Sequence, residues 1–181
     1  MSQQQVDWNR CLQHAAVTDI GMRRSNNQDS YSVVLASDVE HWYNRGHLFI
    51  VADGMGAHAA GELASKLAVD GIPHLYHKHH DVSPPEALQR AIQDTNIEVN
   101  RRGEANPDFQ HMGTTSSVLV MLPQGALIAH IGDSRIYRIR GDKLRQMTFD
   151  HSLVWEMKAN GQVPAGVDVN TVVPKNVITR S

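Results

Sequence analysis

The chain has 181 residues, a length that is typical of a single domain. Hydrophobic residues make up 41% of the sequence and charged residues 20%, which excludes a fibrous protein and a largely disordered one. The net charge of −2 argues against binding to nucleic acid through bulk electrostatics.

The first part of the chain alternates short apolar runs with polar connections. Residues 1–14 are predicted to be a polar lead-in, followed by one domain over residues 15–181. The continuous apolar run Leu48–Ala52 predicts a buried strand that stops at the turn Asp53-Gly54. The other expectations here are strands at Ala15–Ile20 and Tyr31–Ala36, a loop at Gly21–Gln28 and a loop at Ser37–Arg45.

Two long helices are predicted next. Apolar residues recur at helical spacing over Gly61–Tyr76, with Gly71 as a weak point. The second helix begins after Ser83, where Ser83-Pro84-Pro85-Glu86 has the form of a capping box with proline in the first turn. It is expected to stop at Gly103.

Short strands dominate the following segment. Turn-forming residues separate these strands, so an antiparallel meander is expected. The predicted strands are Ser116–Leu122, Ala126–Ile131, Arg135–Ile139 and Lys143–Met147. A last helix, capped by Asp150 or Ser152, is expected to end near Ala159, with loop from there to Ser181. The order of elements predicts an α+β protein with helices packed on antiparallel sheet.

Cysteine usage and the apolar runs predict a cytoplasmic protein without membrane insertion. Cys11 is the single cysteine, which excludes an internal disulfide and favours a reducing compartment. The polar N-terminus has no apolar signal-peptide region. The longest apolar runs, Leu48–Ala52 and Val118–Leu122, fall far short of the roughly 20 residues needed to span a bilayer.

Three acidic residues stand where predicted strands end. Asp29, Asp53 and Asp133 would be fixed by the sheet behind them and open to water. This placement suits a hard divalent cation, which prefers oxygen ligands. The alternative for each residue is a carboxylate that bonds only the backbone amides of its own turn.

Small residues crowd the segment that begins at Asp53. The stretch Asp53–Glu62 holds several glycines and alanines, which allow the backbone to approach a ligand, and the carbonyl of Gly54 could bind a metal ion beside Asp53. It matches neither a Walker loop nor a Rossmann fingerprint. In the preceding loop, Arg23-Arg24 could bind a phosphate or remain solvated surface residues.

Four motifs extend over most of the chain. They are Gly21-x-x-Arg24-x-x-Asn27-Gln28-Asp29, Val51-Ala52-Asp53-Gly54-Met55-Gly56-x-His58-x-x-Gly61-Glu62, Met112-Gly113-Thr114-Thr115 and Gly132-Asp133-Ser134-Arg135-x-Tyr137. In their order, these motifs resemble the PPM family of metal-dependent protein serine/threonine phosphatases, the protein phosphatase 2C-like enzymes, in their bacterial form.

The resemblance implies a four-layer αββα fold, an antiparallel β-sandwich flanked by helices, with Mg²⁺ or Mn²⁺ ions at its centre. Asp53 would bridge two ions, Asp29 and the Gly54 carbonyl would hold one of them, and Asp133 would serve a further ion. Arg24 would bind the substrate phosphate. A hydroxide held between the metal ions would then hydrolyse phosphoserine or phosphothreonine on proteins. The implied partner is a phosphorylated protein, the product of a serine/threonine kinase in signal transduction.

Two departures from the family pattern bear on activity. Many members have histidine where this chain has Met55, which cannot donate a proton; His58 could substitute, although a structural or solvated role is favoured for it. After Asp150 the acidic residues are Glu156 and Asp168, and neither stands in the family's later metal-binding motifs. The chain is therefore expected to be the N-terminal two-thirds of a catalytic domain. The alternative is an inactive, truncated phosphatase fold that binds phosphoproteins or acts as a regulatory module.

Overall fold

The computed structural model describes residues 7–8, 11–22, 24–57, 59–162 and 177–181. Within them it has seven strands and four α-helices. The strands are β1 (Asp29–Val34), β2 (His47–Met55), β3 (Gly113–Thr114), β4 (Ser116–Leu122), β5 (Gly125–Ile131), β6 (Tyr137–Arg140) and β7 (Lys143–Gln146). The helices are α1 (Val39–Arg45), α2 (Ala60–Lys78), α3 (Pro84–Ala105) and α4 (Leu153–Ala159).

The larger sheet is antiparallel and has the strand order β1-β2-β4-β5. The short strand β3 extends it by pairing with the end of β2, where Gly54 lies opposite Thr114. A second sheet consists of the hairpin β6–β7. The predicted α+β class with antiparallel strands is confirmed.

The core lies between this sheet and the two long helices. Alternate residues of β2, namely Leu48, Ile50 and Ala52, are at most 1% exposed and belong to one cluster with Val69 and Leu88 of the helices. This alternation is what a strand with one buried face requires. Burying each large aliphatic side chain contributes about 1.5–3 kcal/mol. Helices α2 and α3 therefore cover one face of β2, and the other face of this strand points away from the helical layer.

The opposite face of the sheet carries the other residues of β2, including Phe49, Val51 and Asp53. A groove of about 300 Å³ runs over this face, lined by Tyr31, Val51 and Ile136 among others. Tyr31 and Val51 are about half exposed, at 43% and 52%. The acidic end of β2 thus opens towards solvent and away from the helical layer.

Three sequence-based expectations were wrong. Residues Val39–Arg45 form helix α1 instead of a loop, because the Asp38 carboxylate accepts the His41 amide at 2.7 Å and caps the first turn. The predicted strand Ala15–Ile20 has no regular secondary structure and pairs with no strand among the described residues. Ser83 is the N-cap of α3 but makes no side-chain capping bond, and Glu86 pairs with Arg90 instead.

The other elements follow the sequence closely. Strands β4 to β7 lie within two residues of their predicted bounds, and α2 and α3 extend slightly beyond theirs. Helix α4 is capped by Ser152, whose hydroxyl accepts the Trp155 amide. Most of the expected C-terminal loop, residues 163–176, lies outside the described residues. No described helix is long and apolar enough to cross a membrane.

Candidate active site

Asp29 and Asp53 face each other across two paired strands. Strand β1 begins at Asp29, and the antiparallel register places Asp29 directly opposite Asp53 near the end of β2. Side chains directly opposite each other in such a pair lie on the same face of the sheet. The Asn27 side chain accepts the Asp29 amide at 3.0 Å, which fixes the entry into β1. The two predicted metal ligands are therefore neighbours on the open face.

The environment of Asp53 gathers the charged residues that the sequence singled out. Burial raises the pKa of Asp53, and the negative charges of Asp29 and, less strongly, Asp133 raise it further. The positive charge of Arg24 acts in the opposite direction. Asp29, Asp133 and Arg24 are thus each close enough to influence Asp53, although they come from separate segments of the chain.

One oxygen of this carboxylate pair is buried and unpaired. Among the residues that the structure describes, Asp29 Oδ1 has no hydrogen-bond partner. A buried carboxylate oxygen costs free energy unless it is paired or binds a cation. The donor set, two carboxylates and nearby backbone carbonyls, fits a hard cation such as Mg²⁺ or Mn²⁺.

The described residues supply only part of a metal site. They contain no cluster of three or more His, Cys, Asp or Glu side chains that could hold a metal ion. Asp133 is near enough to raise the pKa of Asp53 but does not complete such a cluster with Asp29 and Asp53. Two carboxylates leave most positions around a hard six-coordinate cation to other ligands.

Gly54 lies where β2, α2 and the loop before β1 come closest together. Its amide donates to the Gln28 carbonyl at 3.0 Å. A Cβ on Gly54 would stand 1.9 Å from the Gly61 carbonyl oxygen and 2.8 Å from that of Gln28. No side chain other than hydrogen fits here, so the glycines of this motif are a packing requirement.

Two threonines hold the backbone of Asp53, a role that the sequence did not assign to them. The Asp53 amide donates to Thr115 Oγ1 at 3.0 Å, and the Asp53 carbonyl accepts the Thr115 amide at 2.9 Å. The Thr114 hydroxyl also donates to that carbonyl at 3.1 Å. Both residues belong to the motif Met112-Gly113-Thr114-Thr115. The motif stands out in the sequence, but the sequence alone assigns no structural role to its threonines.

Thr115 also connects Asp53 to the turn that carries Asp133. Its hydroxyl is hydrogen-bonded to Ser134 Oγ at 2.8 Å. Gly132 packs so closely on Thr115 that an added Cβ would stand 2.5 Å from the threonine methyl, and its φ of +101° also favours glycine. One fully buried side chain therefore sets the relative position of two acidic turns.

The segment after β7 anchors the Asp133 turn from the other side. The Arg135 guanidinium donates to Asp150 Oδ1 at 2.7 Å and holds the pKa of the Asp150 carboxyl below its usual range. The Gly132 amide donates to His151 Nδ1 at 3.2 Å. Asp150 thus pairs with Arg135 and does not cap α4.

Two residues, Met55 and His58, bear on which group could act as the general acid. Met55 ends β2, opposite Gly113, and its thioether has no proton to give. His58, the alternative donor, lies outside the described residues.

Comparison with known families decides the classification. A family model described as protein phosphatase 2C matches residues 22–153. The chain belongs to the protein phosphatase 2C family.

Named relatives of this phosphatase family cover nearly all of the chain. The protein phosphatase PhpP of Streptococcus pneumoniae is 36% identical over 176 residues, which are 94% of this chain and 67% of PhpP. The solved structure of the Mycobacterium tuberculosis serine/threonine phosphatase PstP/Ppp is 31% identical with a TM-score of 0.72, over 92% of this chain and 66% of that one. This likeness confirms the predicted PPM phosphatase-like fold. The chain spans about two-thirds of the length of these relatives.

A related structure was solved with metal ions. The catalytic domain of the serine/threonine phosphatase PstP in complex with two manganese ions is 33% identical to this chain, with a TM-score of 0.67. The match covers 83% of this chain and 61% of that one.

Proposed function

We propose that this chain carries the catalytic residues for metal-dependent removal of phosphate from phosphoserine and phosphothreonine in proteins. Asp29, Asp53 and the Gly54 carbonyl would hold Mg²⁺ or Mn²⁺, Asp133 would serve a further ion, and Arg24 would bind the substrate phosphate. The observation that carries the proposal is the facing pair Asp29–Asp53, with one carboxylate oxygen buried and unpaired among the described residues.

The electrostatics of the pair support a cation. Two adjacent carboxylates repel each other and raise the pKa of Asp53, a cost that a divalent cation between them would remove. When bound, such ions supply a hydroxide nucleophile at neutral pH and positive charge for the phosphoryl oxygens.

The chain's own residues would orient the reactants. Thr114 and Thr115 hold the backbone of Asp53, so that its carboxylate keeps a fixed position on the open face. Arg24 is exposed, close to the acidic pair and able to bind a phosphate through two parallel N–H donors. A bound phosphoryl group would thus lie between the guanidinium and the carboxylates, in line with positioning as the main source of catalysis.

The substrate class rests on the relatives. Those named above are called protein phosphatases or serine/threonine phosphatases. We extend this to phosphorylated proteins as the substrates of this chain, with a serine/threonine kinase as the source of the phosphate. A phosphoprotein-binding or regulatory module without turnover is the second candidate, since the described residues hold no cluster of three metal-binding side chains.

Hydrolysis of a phosphothreonine peptide by the 181-residue chain tests the proposal. Phosphate release is expected with Mn²⁺ and not with EDTA. Arg24→Ala should raise KM about tenfold with a smaller effect on kcat, because a charge-assisted contact to the phosphate is lost. Arg90→Ala is the matched control, since Arg90 lies on α3, exposed and paired with Glu86.

Each outcome has a defined meaning. A folded chain that binds the peptide without releasing phosphate would favour the binding module over the enzyme. An unchanged KM in Arg24→Ala would remove Arg24 from the phosphate role.

A further inference from the structure

A cavity of about 150 Å³ lies between the two long helices and the end of the sheet. Its walls come from α2, α3 and strands β3 to β5, together with Ser181. Apolar side chains, among them Ile72, Ile92 and Met112, form part of the lining, and the rest is polar. The cavity is on the helical side of the sheet, whereas Asp29 and Asp53 lie on the open face, so it is separate from the candidate active site.

Two hydroxyl groups in the wall are buried and unpaired. Thr95 on α3 and Ser116 at the start of β4 are each 5% exposed. Within the described part of the chain, neither Thr95 Oγ1 nor Ser116 Oγ has a hydrogen-bond partner. Buried hydroxyls are nearly always hydrogen-bonded, because the loss of water is otherwise uncompensated. Two such groups lining one cavity point to a ligand that would pair with them.

The size and polarity of the cavity define the class of ligand. A cavity of about 150 Å³ with purely apolar walls accommodates benzene. Here the walls add the two hydroxyls and the amides of Asn96 and Asn100 to the apolar residues. We propose that this cavity binds a small amphipathic organic molecule, about the size of one six-membered ring, that carries a hydroxyl or similar polar group.

The cavity also adjoins β3, the strand whose Thr114 is hydrogen-bonded to the backbone of Asp53. Gly113 and Thr114 of β3 belong to its wall, and the Thr114 hydroxyl donates to the Asp53 carbonyl at 3.1 Å. A ligand in the cavity would contact a residue that positions a predicted metal ligand. Ligand binding and metal binding should then change each other's affinity, since coupling between two sites is reciprocal. This regulatory part rests on the proposed function, whereas the binding part does not.

Titration of the metal-free 181-residue chain with phenol and with toluene tests the binding part. Both probes have one ring, and only phenol has a hydroxyl. The methyl NMR signals of Ile72, Ile131 and Met112 are expected to shift saturably with phenol. Ser116→Ala and Thr95→Val should each lower the affinity for phenol about fivefold, which corresponds to one net hydrogen bond. The affinity for toluene should stay within about twofold of the wild-type value.

Control measurements separate a loss of phenol binding from unfolding of the chain. Both substitutions remove an unpaired hydroxyl and should leave the unfolding transition in place, so loss of phenol binding would not reflect unfolding. Tyr31→Phe, in the groove on the opposite face of the sheet, should leave phenol affinity unchanged. Absence of saturable shifts at the cavity methyls would overturn the site. Equal effects of the variants on both probes would overturn the proposed polar recognition.

A second titration tests the regulatory part. Saturating phenol is expected to change the Mn²⁺ dissociation constant of the wild-type chain, and an unchanged constant would overturn the coupling. Failure of the phenol-free chain to bind Mn²⁺ would count against the proposed function and leave the phenol site standing, so the two failures are distinguishable.

Discussion

At the scale of single residues, the Thr115 hydroxyl has an unusual position. It accepts a hydrogen bond from the Asp53 amide and forms another with Ser134 Oγ. It therefore links the two turns that carry Asp53 and Asp133. The residue is fully buried, which makes these bonds hard to replace with water. We expect Thr115 to position the metal ligands without touching metal or substrate.

Replacement of Thr115 separates this role from simple packing. Thr115→Val keeps the shape but leaves the buried Asp53 amide unpaired, and should cost about 1–3 kcal/mol of unfolding free energy. Thr115→Ser keeps the hydroxyl and loses one methyl group, which should cost about 1 kcal/mol. Denaturant unfolding measures the stability, and Mn²⁺ titration should show a weaker affinity in the valine variant than in the serine variant. Equal Mn²⁺ affinities would contradict a positioning role.

The sequence drew attention to the charged residues but not to the residues that support them. Asp29, Asp53, Asp133 and Arg24 stand out because carboxylates at strand ends and an arginine in a polar loop are chemically conspicuous, and in the structure the other three are near enough to affect the pKa of Asp53. Thr115 was missed because a hydroxyl that bonds a distant backbone amide has no local pattern. The pairing of Asp150 with Arg135 was missed for the same reason, since it depends on the way the chain folds back after β7.

At the scale of elements, the glycine-rich connection from β2 to α2 gives the site its shape. Gly54 and Gly61 approach so closely that a Cβ on either would stand within 3.0 Å of neighbouring atoms. This contact brings the end of β2 against the first turn of α2. The loop geometry therefore depends on the absence of side chains as much as on any hydrogen bond.

Gly54→Ala should be poorly tolerated. The new methyl group would collide with backbone atoms that cannot turn aside, so we expect a loss of at least about 3 kcal/mol. Gly141→Ala is the control, because Gly141 has a φ of +56° and open space around it. That substitution should cost only about 1–2 kcal/mol, the penalty for a left-handed residue. Thermal unfolding of both variants gives the comparison, and similar losses would refute the packing argument.

Prediction of the elements succeeded where apolar spacing was strong. Helices α2 and α3 and the strands β2, β4 and β5 have continuous or periodic apolar patterns that burial later explains. Helix α1 was missed because it is only seven residues long and mostly polar, so its stability depends on the Asp38 cap. The predicted strand Ala15–Ile20 was wrong because its residues are exposed and pair with no strand among the described residues.

At the scale of the whole molecule, buried and partly buried histidines couple stability to pH. Burial lowers the pKa of His47, His77 and His130. The unfolded chain therefore binds these protons at a higher pH than the folded chain does. Stability should be greatest above about pH 6.5 and fall as the pH drops towards 5, by at most about 1.4 kcal/mol per pH unit for each proton.

His47 is the most direct test of this linkage. Its Nδ1 accepts the Ala36 amide at 3.0 Å, a bond that a proton on that nitrogen would break. His47→Asn should flatten the dependence of unfolding free energy on pH between 7 and 5, whereas His80→Asn, at an exposed position, should leave it unchanged. Urea unfolding at a series of pH values provides the slopes. An unaltered slope in His47→Asn would show that this histidine does not contribute.

The most direct test of the account is the Mn²⁺ affinity of the isolated chain, measured by isothermal titration calorimetry. The wild-type chain should bind Mn²⁺ saturably, and Asp53→Asn should weaken binding at least about tenfold because the pair loses one of its two charges. Asp142→Asn, in the exposed turn between β6 and β7, should bind as the wild type does. An affinity in Asp53→Asn equal to that of the wild type, or no binding by the folded wild-type chain, would contradict the Asp29–Asp53 pair as the metal centre.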